Sequence, residues 1–220
     1  MSIALRLHEP LSRQRESPRM MFTLDPMTAR PVRASKDKRE AILQAMLELV
    51  AERGFHDAPM SLVARRAGTS AGIIYHYFPS KDDLIRALYL HVKAKMGRFL
   101  IEGQVVGMPA EQAFKRVWMN AYRFYRTHQQ EMKFLDQYEN SPYCGGSPEI
   151  EALVQQDQNI AQLLHLFRPK SAGGPLKNLP QEAISELTIG VAARLAKRVK
   201  PLKSKALEEI AAACWAAVTS

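Results

Sequence analysis

Cysteine is almost missing from this chain: Cys144 and Cys214 are the two in 220 residues. Two cannot build a disulfide framework, and neither sits at the Cys-x-x-Cys or Cys/His spacing of a metal site. No apolar run approaches the ~20 residues that cross a bilayer. The apolar opening at residues 3–7 is short and interrupted by Arg6, which argues against a secretory signal and for a cytoplasmic protein without a membrane partner. A glycine-rich phosphate loop, a nucleophile elbow and a metal-binding His pair are likewise absent, so no metal, no cofactor and no catalytic residue is expected. Gathering His128, Cys144, Asp157 and His165 into a nucleophile, base and orienting group finds no support in their spacing. Cys144 lies in a Ser-Pro-Tyr-Cys-Gly-Gly stretch and is a candidate oxidant-sensitive thiol. Cys214 sits in an alanine-rich helix as a small core residue. Convincing strand alternation is also lacking, and the fold class is therefore all-α.

Positive charge is what the chain has in excess. Thirty-one Lys and Arg against 22 Asp and Glu give a formal charge of +9 and a pI near 9.7, the balance of a protein drawn to polyanions. Charge alone does not separate nucleic acid from an anionic membrane. The hydrophobic fraction of 46% is ample for a buried core,. Residues 1–36 form a separate zone rich in Arg, Pro and Ser with little periodicity. That zone is expected to lack a fixed fold, either as a solvated tail or as a basic arm along DNA.

Residues 63–78, VARRAGTSAGIIYHYF, have the spacing of two short helices crossed at a tight turn. Ala64 and Ala67 permit close passage of a second helix, Gly68 suits the left-handed conformation that ends the first, and Ser70 caps the next. Ile74 is spaced to tuck inward. Ala71, Gly72, Ile73, Tyr75, His76 and Tyr77 then populate the outer faces and far end of the second helix, where Gly72 lets the backbone approach a base edge and the phenols and imidazole can bond phosphate. Pro59 is placed at the first position of the preceding helix. Ser80 and Asp83 have capping-box spacing and open a further helix, with Lys81 beside its free amides.

Residues 38–89 resemble the DNA-binding domain of the TetR family of bacterial transcriptional regulators. The resemblance rests on Glu52-Arg53-Gly54-Phe55, then Ala67-Gly68-Thr69-Ser70, then Tyr75-His76-Tyr77-Phe78 followed by Ser80-Lys81. It implies a three-helix head at 37–84 and a helical effector-binding and dimerisation domain at 85–220. Thr69, Ser70, Ala71, Gly72, Ile73, Tyr75, His76, Tyr77 and Lys81 become the DNA-binding set, with Tyr75, Tyr77 and Lys81 on phosphates and Gly72, Ile73 and His76 near base edges. Phe78 is assigned to packing. The implied partners are a double-stranded operator, a second copy of the chain and a small-molecule effector. A dimer whose C-terminal half binds no effector is the alternative.

Beyond residue 89 the periodicity is helical. A long helix runs from 81 to near 101 and bridges the halves, another spans 110 to about 127, and one over 149–167 should turn Ile150, Leu153, Val154, Ile160, Leu164 and Phe167 inward. Trp118, Tyr122, Tyr125, His128, Phe134, Tyr138 and Phe167 are the aromatic-rich candidates for an effector pocket, each open equally to ordinary core packing. Ile184, Leu187, Val191 and Leu195 line one of the last two helices and Leu207, Ile210, Cys214 and Trp215 the other. Their position resembles the helix pair of the family's four-helix dimer interface. Two recognition helices about 34–36 Å apart would meet successive major grooves.

Overall fold

The computed structural model describes residues 30–103, 105, 107–143 and 158–219. Helix α1 (Arg30–Arg53) starts inside the segment expected to lack structure. Pro31 is tolerated in a first turn, and Ala34, Lys36, Lys38 and Arg39 favour helix. Ile42, Leu43, Met46, Leu49 and Val50 recur on one face and are buried. The helix ends at Gly54, whose φ of +85° is the left-handed conformation that glycine adopts without strain,.

Helix α2 (Met60–Arg66) corrects the placement of Pro59. That residue is the N-cap, with φ −69° and ψ 151°, and not the first helical position. Its carbonyl already accepts from the amides of Leu62 and Val63 at 2.9 and 3.1 Å, and with no side-chain oxygen it adds no capping bond. Arg66 ties α2 back to α1 through Glu52, at 2.9 and 3.0 Å, and Glu48, at 3.2 Å. Helix α3 (Ala71–Tyr77) follows, then α4 (Lys81–Leu100). At ~1.5 Å per residue α4 is about 30 Å long and runs unbroken across the expected domain border at 84/85.

Helices α5 (Ala110–Thr127) and α6 (Gln129–Glu139) fold back along α4. The buried Asn120, 1% exposed, donates to the carbonyls of Leu100 and Glu102, both at 2.9 Å. It closes the C-terminal end of α4 from a neighbouring helix. Helix α7 (Gln158–His165) is the described part of the helix expected over 149–167, and Ile150, Leu153 and Val154 lie outside the described residues. Here the register differs by one: Leu163 is buried and Leu164 is exposed. Two adjacent leucines satisfy an apolar stripe equally, and packing chose between them.

The penultimate helix is α8 (Gln181–Ser185), a π-helical turn (Glu186–Gly190) and α9 (Val191–Ala196), continuous in backbone. A π-turn is a local widening of the helix. The buried indole of Trp118 donates to Thr188 O at 3.0 Å, and the Thr188 hydroxyl donates to Ile184 O at 2.6 Å. Helix α10 (Ser204–Val218) packs with α9 on α5. No strand occurs among the described residues beyond one isolated bridge, Pro169 to Leu176. The buried apolar residues form one continuous cluster from Ile42 to Cys214, with a small satellite of Leu176, Ile184 and Val218. Head and rear half therefore share a core through α1, α4 and α6.

Candidate nucleic-acid interface

The turn between α2 and α3 is closed by backbone bonds that require a left-handed residue. Gly68 has φ +62°, its amide donates to Arg65 O at 3.3 Å, and the Thr69 amide donates to Ala64 O at 2.9 Å. This pair of bonds is a Schellman ending, satisfying carbonyls that the last turn of α2 would leave bare. Ser70 then starts α3, its Oγ accepting from the Ile73 amide at 3.3 Å. Ile74 is fully buried between the helices, and Phe78 is buried under the Arg39 guanidinium, 5.2 Å from the ring centroid. These anchors fix which face of α3 points outward.

That face carries Ser70, Gly72, Tyr75 and His76, all exposed, with Tyr75 at 50%. Ala71 and Tyr77 are half-buried against the head's core, and Ile73 is half-buried. Thr69 departs from expectation, because its Oγ1 is buried and has no hydrogen-bond partner. The backbone bond to Ala64 O turns Thr69 inward and leaves its hydroxyl unable to face a phosphate. Lys81 also departs. Its ammonium donates to Phe55 O at 2.6 Å, joining the turn after α1 to the first turn of α4, and burial holds its pKa below the usual lysine value. A tethered amine is part of the head's frame before any DNA arrives.

Lys81→Ala should therefore destabilise the DNA-free protein by about 1–3 kcal/mol, the range for a hydrogen bond to a charged group. Thermal denaturation without DNA checks this, and an unchanged midpoint would return Lys81 to the role of a free phosphate ligand.

Comparison with known proteins bears on the whole of this arrangement. The family model for bacterial regulatory proteins of the tetR family matches residues 42–88, and that for a tetracyclin repressor-like C-terminal domain matches residues 109–219. The chain belongs to the TetR family of DNA-binding transcriptional regulators. An uncharacterized HTH-type transcriptional regulator of Haemophilus influenzae is 25% identical, the match covering 84% of this chain and 97% of that protein. The HTH-type transcriptional regulator BetI of Vibrio campbellii is 26% identical over 55% of this chain and 70% of its own. A solved TetR family transcription regulator from Marinobacter aquaeolei shares the fold at a TM-score of 0.73 and 21% identity, over 85% of this chain and 98% of that one.

In this TetR-family chain most of the aromatic residues expected around an effector meet other groups of the protomer. Trp118 serves the π-turn, and the Tyr122 hydroxyl accepts from the Leu202 amide at 3.3 Å. His128 stacks on Phe124 at 4.3 Å, and Phe167 lies 5.5 Å from Phe114. Phe134 meets Phe55 edge-on at 5.7 Å, and Tyr138 stacks on Tyr89 at 4.0 Å. Tyr125 alone of the set lines either of two cavities, an open cleft of about 430 Å³. The other, about 190 Å³, is lined by residues absent from the expected set, among them Ile101, Met108, Leu163 and Leu166. Aromatic spacing marks a buried stripe, and it does not say whether the stripe faces a void or a neighbouring helix.

Phe134 and Tyr138 belong to a contact between α6 and the head that the sequence did not suggest. Gln137 Nε2 donates to Val50 O at 2.9 Å, and a Cβ at Gly54 would lie 3.2 Å from Gln137 Oε1. Gly54 thus ends α1 and also makes room for Gln137. On α4, Lys95 pairs with the buried Glu131 of α6.

The expected dimer set divides in two. Ile184, Leu207 and Cys214 are buried within the protomer, and burial raises the Cys214 thiol pKa. They serve the protomer's own core, because each of the last helices has one apolar side against α5. Leu187 is exposed, and Val191, Leu195, Ile210 and Trp215 are half-buried, so these remain available to a partner. Ala213, Ala216 and Ala217 on α10 are exposed as well. Of the residues considered for catalysis, Cys144 and Asp157 lie outside the described residues, and His165 Nε2 is bonded to Gly173 O at 3.0 Å. Among the described residues no cluster of His, Cys, Asp and Glu could hold a metal, and no helix is long and apolar enough to cross a membrane.

Proposed function

We propose that the chain is a homodimeric, sequence-specific regulator that acts in the cytoplasm as a repressor and leaves its operator when a small molecule binds the C-terminal half. The outward face of α3 carries this reading. A glycine, a phenol and an imidazole stand exposed on a helix fixed from beneath by Ile74 and at its start by Ser70. Tyr75 and the amides at the start of α4 bind phosphates, whereas Gly72, Ile73 and His76 approach base edges. Two such helices held by α8 to α10 of each protomer would read successive major grooves. Effector control requires the ligand to prefer one separation of the heads.

Footprinting on the DNA flanking its own gene, with mass measured in solution, tests the proposal. The expected result is a dimer protecting a two-part site whose half-sites lie about 10–10.5 bp apart or a multiple of that. Substituting His76 by alanine should change the base preference of selected sequences. Tyr75→Phe should weaken matched and mismatched DNA alike. A monomer indifferent to duplex DNA at low salt would end this reading.

A further inference from the structure

Helix α6 presents two different faces. Phe134, Gln137 and Tyr138 meet the head and α4 as described above. Met132, Leu135, Asp136 and Glu139 form one wall of the open cleft. The opposite wall is the π-turn and α9, where Gly190 and Ala193 have little side chain to fill the space. At about 430 Å³ the cleft falls within the range of small-molecule sites, roughly 300–1,000 Å³,.

Its floor holds a polar group left without a partner. Tyr125 is 9% exposed and lines the cleft, yet its hydroxyl makes no hydrogen bond among the described residues. The ring is buried but the hydroxyl itself opens to the cleft, where a ligand atom can bond it,. The charges around it are uneven. Lys197 takes Asp136 at 2.7 Å and Arg194 reaches Glu186 at 3.8 Å, whereas Glu139 makes no ion pair among the described residues. Burial, then Glu139, then Asp136 suppress ionisation of the Tyr125 phenol. Both charged groups that act on the hydroxyl are carboxylates. Lys93 lies near Glu139 as well, and burial lowers its pKa while Glu139 raises it. An anion here would confront carboxylates, and a purely apolar ligand would leave the phenol unpaired.

We propose that this cleft binds an organic monocation, an ammonium or amidinium on an apolar body. Glu139 and the Tyr125 hydroxyl hold the cationic group, and Met132, Leu135 and Ile189 hold the body. The assignment rests on the effector-controlled reading above and gives that effector a site and a charge. Glu139 is two residues from Gln137, whose amide is bonded to the end of α1, so a ligand that shifts α6 pulls on the head directly.

Calorimetry on the full-length protein with three probes of one shape decides the matter: phenethylammonium, 2-phenylethanol and 3-phenylpropionate at neutral pH. The ammonium should bind at least about tenfold more tightly than the other two, a ~1.4 kcal/mol preference. Glu139→Gln, at an exposed position that leaves the fold intact, should reduce it to the level of the alcohol, and Tyr125→Phe should weaken it severalfold. Equal or tighter binding of the carboxylate, failure of all three, or ammonium binding unchanged in Glu139→Gln would overturn the assignment. So would burial of the cleft by a second copy, seen as amide protection of 132–139 and 185–194 on dimerisation without amine binding. The two readings fail separately: a dimer that binds duplex DNA and is released by another class of compound loses the cleft assignment alone. A protein with no affinity for DNA loses the effector-controlled reading whatever the calorimetry reports.

Discussion

Gly72→Ala is expected to stabilise the free protein by up to about 1 kcal/mol while weakening operator binding about tenfold or more. Gly72 stands in the first turn of α3, with no left-handed conformation to require glycine. A Cβ there would meet nothing closer than Ser70 Oγ at 3.9 Å. Within the protomer, alanine fits and removes the entropy that glycine loses on folding. The one demand glycine meets at this site is close approach by something outside the protomer. A methyl group would hold the backbone off a base edge, and Gly72→Leu should abolish measurable specific binding at moderate salt. Thermal denaturation and a DNA titration of the same samples give the test. If alanine raised the melting temperature and left affinity unchanged, Gly72 would have no place in the base-reading face.

Removing the Trp118 side chain should cause the largest loss of stability in the rear half, about 3–5 kcal/mol for Trp118→Ala, from lost packing and the cavity left behind. Trp118→Phe separates the two contributions. Phenylalanine keeps most of the ring packing but cannot donate to Thr188 O, which then keeps only the Val191 amide, at a cost of about 0.5–1.5 kcal/mol,. Chemical denaturation provides the energies. A Trp118→Phe protein as stable as the parent would mean that the Val191 amide suffices for the carbonyl, and the indole would not be what holds the π-turn. Because that turn forms one wall of the cleft, amide exchange over 186–190 should quicken in the same variant.

The head was legible in the sequence because its constraints are local. A glycine with φ +62° four residues after a buried alanine, a serine three residues before the amide it caps, and Ser80 beside Asp83 all act within one turn of chain. Pro59 was misplaced by one position for the same reason in reverse, since proline suits both the N-cap and the first helical site and local preference does not choose. What Lys81 and Thr69 meet in the folded head could not be read from the sequence. Phe55 O lies 26 residues from Lys81, and no spacing rule points to it.

In the rear half the apolar periodicity located α5, α9 and α10 but could not tell which neighbour each stripe meets. Trp118 and Thr188 are 70 residues apart, and Gln137 and Val50 are 87 apart. Composition and order along the chain determined an all-helical, basic protein with a DNA-reading head near its front. Tertiary structure alone decided that Tyr125 faces a cleft while Trp118, Tyr122 and Phe134 face protein, and that Leu187 is free for a partner while Ile184 is not. The physical reason is that helix formation and capping depend on contacts a few residues apart. Whether a buried side chain meets a cavity, a carbonyl or another helix depends on how separate helices are docked.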